Sequence, residues 1–168
     1  MTHDLVNAQF SRMLSNLLQC FDKAEAYAAQ KKFDVNVLLG CRLAPDQFDF
    51  TRQIQILCST ATKCTAQLTG RDAPSAADNE KTLVELRTLV NNTIQWLSKV
   101  EPAAYAGAAE RKVSQPRWEG QWLTGAEFML HHAIPNFYFH LTTAYSILRH
   151  NGVDVGKKDY LGKMPFKK

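Results

Sequence analysis

The segment HHAIPNFYFHLTTAYSILRHNGVDVGKKDYLG, residues 131–162, decides the fold because it combines a helical apolar stripe with clear start and stop signals. Proline suits the first position of a helix, where its missing N–H is not needed, and Asn-Gly suits a helix end. We therefore expect a helix that begins at Pro135 and ends before Asn151 and Gly152. Its apolar residues recur at steps of three and four, as one buried helix face requires: Phe137, Leu141, Ala144 and Leu148.

Three further segments upstream show the same helical periodicity. They cover about residues 5–33, residues 50–68 and residues 83–97, and each alternates an apolar stripe with polar positions. Carboxylates accept hydrogen bonds from the free N–H groups of a first helical turn. We therefore expect Asp46 to cap the second helix and Asp78 to cap the third.

The connection to the last helix, residues 103–125, is long and is interrupted by Pro116, Gly120 and Gly125. Its composition predicts an excursion with a small hairpin. Four amphipathic helices with one long crossover before the last helix predict an all-α four-helix bundle, with residues 1–168 forming a single domain. A chain of this length buries roughly 70% of its unfolded surface, so neither a metal nor a disulfide is needed for stability.

Charge and hydropathy exclude two classes of partner. The formal net charge is +4 at pH 7, and the basic residues are scattered except near the C-terminus. No basic face with interleaved aromatic residues is visible, so we expect no nucleic-acid partner. No apolar run reaches the ~18 residues of a membrane span, so we expect no membrane association. The C-terminal basic residues are Lys157, Lys158, Lys163, Lys167 and Lys168.

The four cysteines lie far apart and form no C-x-x-C pair. Buried free cysteine packs as a small hydrophobic residue, and unpaired thiols are typical of a reducing compartment. We therefore expect a cytoplasmic protein. The cysteines are Cys20, Cys41, Cys58 and Cys64.

Two rows of polar residues face the predicted core. His140 lies one position off the apolar stripe of the last helix, and Asn136 and Thr143 continue the same edge. On the second helix, Asp49 and Gln53 are four residues apart, and Gln53 falls among apolar neighbours. Inward polar rows on facing helices can enclose a small pocket.

His140 has two interpretations. In the first it forms a metal or small-molecule site with Asn136 and with Gln53 or Asp49, because helix bundles build such sites from inward side chains and imidazole binds zinc and nickel. In the second it is a buried imidazole held by an amide or a backbone carbonyl, as buried polar groups usually are. For a lone core histidine the second interpretation is favoured.

Two further residues bear on the extent of the pocket. His132 would share a face with Asn136 and His140 only if the helix continued through Pro135. A proline ring clashes with the carbonyl four residues earlier, so we expect the helix to start at the proline instead. Tyr145 either lines the mouth of the pocket or packs at the surface.

Two segments, RLAPDQFDFTRQIQIL (residues 42–57) and PNFYFHLTTAYSILRHNGVDVGKKDYLG (residues 135–162), resemble an uncharacterised bacterial family within the DinB/YfiT-like superfamily of predicted metalloenzymes. The resemblance covers nearly the whole chain. It implies a four-helix bundle of up-down-down-up type that pairs as a homodimer. Characterised relatives include thiol-dependent transferases and isomerases, which hold a divalent metal with three histidines, one on the second helix and two four apart on a later helix.

Carried onto this chain, the later pair matches Asn136 and His140, and the second-helix ligand falls near Gln53. Two of the three ligands would thus be amides, which are poor zinc ligands beside imidazole. We therefore expect a bundle of unknown activity with a small-molecule pocket and a degenerate metal site around His140. One alternative is a thiol transferase or isomerase that holds zinc or nickel through His140, Asn136, Asp49 and water. Another is a structural or interaction homodimer without catalysis.

Overall fold

A computed structural model of the chain describes residues 2–167, with Met1 and Lys168 outside the described residues. Four long helices and two short ones account for most of the structure, and a two-stranded hairpin precedes the last long helix. The predicted all-α four-helix bundle is confirmed. In chain order the elements are α1 (Gln9–Lys31), α2 (Phe50–Thr69), α3 (Leu83–Ser98), β1 (Lys112–Val113), β2 (Leu123–Thr124), α4 (Gly125–Phe128), α5 (Ile134–His150) and α6 (Lys157–Leu161).

The starts of α2 and α3 differ from the prediction. Asp49, not Asp46, caps α2, and its carboxylate accepts a hydrogen bond from the Arg52 amide at 2.9 Å. Thr82, not Asp78, caps α3. A capping side chain must directly precede the first helical turn. Asp46 instead lies in an upstream turn, and the Asp78 carboxylate binds the Arg52 guanidinium at 2.6 Å.

The last long helix does not begin at Pro135. The backbone is helical from α4 through a π-helical turn, Met129–Ala133, into α5. A π turn is wider than an α turn, so it accommodates both the pyrrolidine ring and the missing N–H of Pro135. The predicted break is therefore wrong, and His132 lies within a continuous helix. Thr124 caps this helix in a capping box with Glu127.

The helices α2 and α3 point in the same direction, because the connection between them returns along the length of α2. Near its start Arg71 donates to the Lys99 carbonyl at the C-terminal end of α3, at 3.3 Å. Near its end the Glu80 carboxylate accepts from the Gln55 amide of α2 at 2.9 Å. This parallel pair agrees with the up-down-down-up arrangement that the resemblance implies.

The core lies between the long helices and is largely apolar. α2 packs against both α3 and α5, and α1 packs against the same two helices. The rings of Phe10 and Phe137 stack at 3.9 Å between α1 and α5. Both rings are fully buried. No helix among residues 2–167 is long and apolar enough to cross a membrane.

The excursion before α4 contains the predicted small hairpin. In it β1 pairs antiparallel with β2, with Val113 opposite Leu123. Gly125 fixes the excursion against the start of α4, since a Cβ there would lie 1.9 Å from the Ala108 carbonyl oxygen. This close approach places the turn Pro116–Trp118 beside the π-helical turn of the last helix.

Candidate functional site

His140 forms a buried hydrogen bond from α5 to α2. Its side chain is 6% exposed, and its Nδ1 lies 2.7 Å from Oε1 of Gln53, which is fully buried. The Gln53 amide nitrogen donates to the Phe48 carbonyl at 3.0 Å. A carbonyl only accepts, so this bond fixes the amide with its oxygen towards the imidazole. Nδ1 of His140 therefore carries the proton, and Nε2 holds the lone pair.

The surroundings of His140 keep it neutral. Burial, with a smaller effect of the Arg52 charge, lowers the pKa of the imidazole below its ordinary value of 6.5. The ring of Phe139 contacts it edge-on at a centroid distance of 5.2 Å. Phe139 and Phe48 are 56% and 55% exposed, so two aromatic rings at the surface adjoin the buried pair. At neutral pH His140 is thus a neutral ring with an acceptor nitrogen.

Asn136 makes the second polar bridge between the same two helices. It lies one helical turn before His140, and its amide donates to the hydroxyl of Thr60 on α2 at 2.8 Å. Asn136 also borders a cavity of about 360 Å³ between α2, the excursion and the last helix. The bridges at His140 and Asn136 close one end of the helix interface, and the cavity opens at the other.

His132 lies one helical turn before Asn136 and borders the same cavity. Its Nε2 is 2.5 Å from a guanidinium nitrogen of Arg117. A guanidinium only donates, so Nε2 accepts and the proton is on Nδ1, which is buried and has no partner among the described residues. The imidazole stacks on Phe128 at 5.4 Å. Burial, and then the Arg117 charge, lower the pKa of His132.

These side chains form a continuous polar row along one helix interface. We define the polar row as His132, Asn136 and His140 on the last helix with Gln53 and Thr60 on α2. The cavity at its open end carries two cations, Arg117 and Lys63, and no carboxylate among its lining residues. Its remaining lining residues are Ile56, Ser59, Cys64, Gln67, Gln115, Pro116 and Phe128.

The other residues singled out in the sequence have different partners. Asp49 caps α2 and lies 3.5 Å from Arg42. The Thr143 hydroxyl donates to the Phe139 carbonyl of its own helix at 2.7 Å. The Tyr145 hydroxyl donates to the Val155 carbonyl at 3.3 Å. The structure thus brings His140 to Gln53, with Asn136 beside them. The side chains of Asp49, Thr143 and Tyr145 make other contacts.

The sequence does not indicate roles for Arg117, Thr60 and Lys63, and it predicts that His132 lies off the face of Asn136 and His140. The spacing of four residues from His132 to Asn136 and again to His140 is a visible signal for the row. Pro135 argued against it, because a proline inside a helix usually breaks it. Arg117 gives no local signal, since the excursion alone brings it to the helix.

The polar row does not fit a divalent metal. His140 alone keeps the form of a metal ligand, with Nδ1–H held by an amide oxygen and the Nε2 lone pair available. His132, the other imidazole of the row, has its Nε2 bound to Arg117, and the Asn136 amide is bound to Thr60. Within residues 2–167, no three His, Cys, Asp or Glu side chains are placed to hold one ion.

Thiolate chemistry is also disfavoured by the buried cysteines. Burial raises the pKa of Cys20 to about 11 and that of Cys58 to about 12, and it raises that of Cys64 still further. These three thiols therefore stay protonated at neutral pH and are poor nucleophiles.

Comparisons with known proteins support the fold. A family model described as a domain of unknown function (DUF1993) matches residues 2–161. A DinB family member from Shewanella denitrificans, known from its crystal structure, shares 56% sequence identity with this chain. The two structures match with a TM-score of 0.97, over 100% of this chain and 96% of that chain. No curated protein matched the sequence. The DinB-like bundle is therefore confirmed, and neither description names a ligand or a reaction.

The buried bridge between Gln53 and His140 predicts strong energetic coupling. Gln53→Leu leaves the imidazole N–H and the Phe48 carbonyl without their partner, and we expect it to lower the free energy of unfolding by ~1–3 kcal/mol. His140→Leu strands the Gln53 oxygen in the same way. Since the double variant removes both partners of the bridge, we expect it to recover part of the loss. Urea unfolding of the four proteins measures this coupling, and additive losses would contradict the hydrogen bond.

Proposed function

We propose that this chain, which belongs to the DUF1993 family, binds a small anionic molecule at the open end of the polar row, beside a metal site that has degenerated around His140. One observation carries the proposal. The cavity bordered by Asn136 and His132 has Arg117 and Lys63 in its wall and no carboxylate to neutralise them. An anion would supply the missing counter-charge.

Arg117 is the principal anion-binding group of this proposal. One of its nitrogens donates to His132, which orients the guanidinium against the last helix. A guanidinium has five N–H donors in a planar fork, so the others stay available for a carboxylate or phosphate. Among residues 2–167, neither Arg117 nor Lys63 forms an ion pair with a carboxylate.

The size and lining of the cavity limit the ligand. Its volume of about 360 Å³ is near the lower end of the ~300–1,000 Å³ of small-molecule sites. Ile56 and Phe128 give it an apolar part, whereas Ser59 and Gln115 add neutral hydrogen-bonding groups. We infer a ligand of the size of an aromatic carboxylate or a small phosphate ester.

The proposal favours binding over the transferase or isomerase alternative. That alternative needs an acid such as Asp49 beside His140, whereas the Asp49 carboxylate caps α2 and faces Arg42. A homodimer stays a prediction from the family resemblance. The exposed rings of Phe48 and Phe139 are the apolar surface that we would expect a second copy to cover.

Titration with benzoate tests the anion site. We expect benzoate to shift the backbone NMR signals of His132 and Asn136, whereas benzamide, its neutral counterpart, has little effect because it brings no charge to Arg117. Arg117→Gln should weaken benzoate binding about tenfold, as expected for losing one charge-assisted hydrogen bond of ~1.5 kcal/mol. Lys31→Gln, at the far end of α1, is the matched control and should change nothing.

Equal affinity for benzoate and benzamide would contradict the proposal. The proposal would also be contradicted if benzoate shifted other backbone NMR signals but left those of His132 and Asn136 unchanged.

Restoring imidazoles tests the degenerate metal site. In untagged protein we expect no stoichiometric zinc or nickel, because only one of the three inferred ligands is a histidine. The double variant Gln53→His, Asn136→His adds the two missing imidazoles, one on α2 opposite His140 and one on α5 a turn before His140, and we expect it to bind zinc stoichiometrically. Mass spectrometry measures the metal content of the natural sequence and of the double variant. Stoichiometric metal in the natural sequence that is lost in His140→Ala would contradict the degenerate site.

A further inference from the structure

A second and larger cavity, of about 580 Å³, lies between α2 and α3. The returning connection between these helices covers it, with residues 73–76 and Asp78 in its wall. Long irregular connections, such as the one between α2 and α3, are uncommon inside a small domain and are frequently part of binding sites. The cavity is distinct from the polar row, which lies on the α5 side of α2.

The parallel course of α2 and α3 gives this cavity two different ends. Gln55 lines it in the N-terminal half of α2 and Leu89 near the middle of α3, whereas Lys63 and Lys99 line it further towards the C-terminal ends of these helices. The eight-residue step from Gln55 to Lys63 corresponds to roughly 12 Å along a helix. Both lysines therefore lie towards the same end of an elongated site.

The charges at the two ends are not equivalent. Asp78, the carboxylate in the wall, is paired with the Arg52 guanidinium at 2.6 Å. Lys63 and Lys99 form no ion pair within residues 2–167. The cavity therefore offers two unneutralised positive charges at one end and a balanced pair at the other.

The middle of the cavity combines a flat apolar surface with unused polar groups. The half-buried indole of Trp96 and the side chains of Leu89 and Pro74 line it. Ser59 and Asn92 also line it, and neither side chain has a hydrogen-bond partner among the described residues. An indole face favours stacking with another flat ring.

The cavity is built for binding more than for covalent chemistry. Its cysteine, Cys58, is buried, and burial raises the pKa of that thiol to about 12. The hydroxyls of Thr62 and Thr93 donate to carbonyls of their own helices. No group in the wall is thus poised as a nucleophile with a neighbouring base.

We propose that the α2–α3 cavity binds an elongated aromatic carboxylate. The carboxylate lies between Lys63 and Lys99, and the ring system lies along Trp96. The remaining polar groups of the ligand meet Ser59 and Asn92. This site adjoins the proposed anion site at the polar row, since Ser59 and Lys63 border both cavities, and the two are distinguished by Lys99 and Trp96 here and by Arg117 there.

The test uses 2-naphthoate as the probe and calorimetric titration of the full chain. Lys99→Gln should weaken its binding about tenfold, which corresponds to losing one charge-assisted hydrogen bond. The neutral analogue 2-naphthalenemethanol should bind at least tenfold more weakly than 2-naphthoate. Trp96→Leu should also weaken binding, with urea unfolding as the check that it folds. Lys99 is exposed, so its replacement leaves the fold intact.

Arg117→Gln separates the two proposed sites, because Arg117 lines the smaller cavity and not this one. It should leave the 2-naphthoate binding that Lys99→Gln weakens unchanged, even where it weakens binding at the smaller cavity, and Lys31→Gln should leave both unchanged. The proposal is overturned if 2-naphthoate fails to bind at millimolar concentration, or if it binds Lys99→Gln as tightly as the natural sequence. Equal binding of the neutral analogue, or loss of binding in Arg117→Gln instead, would overturn it as well.

Discussion

The hydrogen bond between His140 and Gln53 is the constraint on which the site depends. A polar pair buried among apolar side chains is costly unless its members meet, so this bond specifies how α5 lies along α2. With that register set, Asn136 meets Thr60 one turn away, and His132 reaches the excursion one turn beyond. The cavity at the open end of the polar row is therefore a consequence of the same helix pairing that buries Phe50 and Phe137.

The chemistry of the polar row is set by its two amides, Gln53 and Asn136, beside the imidazole of His140. A histidine whose Nδ1–H is held by an oxygen has the form of a metal ligand, but a single such ligand does not make a centre. Amides prefer to bridge, and here Gln53 and Asn136 do so. What remains for a ligand is the open end, where Arg117 and His132 face each other without an acid.

Much of this arrangement follows from sequence periodicity, and the exceptions have physical causes. The four long helices and the inward direction of His140 towards Gln53 could be predicted, because apolar spacing directly reports the buried face. The hairpin could be predicted from the composition of residues 103–125. The helix through Pro135 could not be predicted. A proline ring usually breaks a helix because it clashes with the carbonyl four residues earlier, and here a π turn accommodates that clash.

The α2–α3 cavity is hidden from the sequence for a different reason. It exists because the connection runs back along α2, held by Asp78 on Arg52 and Glu80 on Gln55. Such long-range pairs leave no periodic signal.

The protonation state of His140 is the central claim, and nitrogen NMR of the imidazoles, by correlation of ring protons with both ring nitrogens, tests it most directly. We expect a neutral His140 ring at neutral pH with its proton on Nδ1; a proton on Nε2, a charged ring or a metal-shifted nitrogen would contradict this assignment.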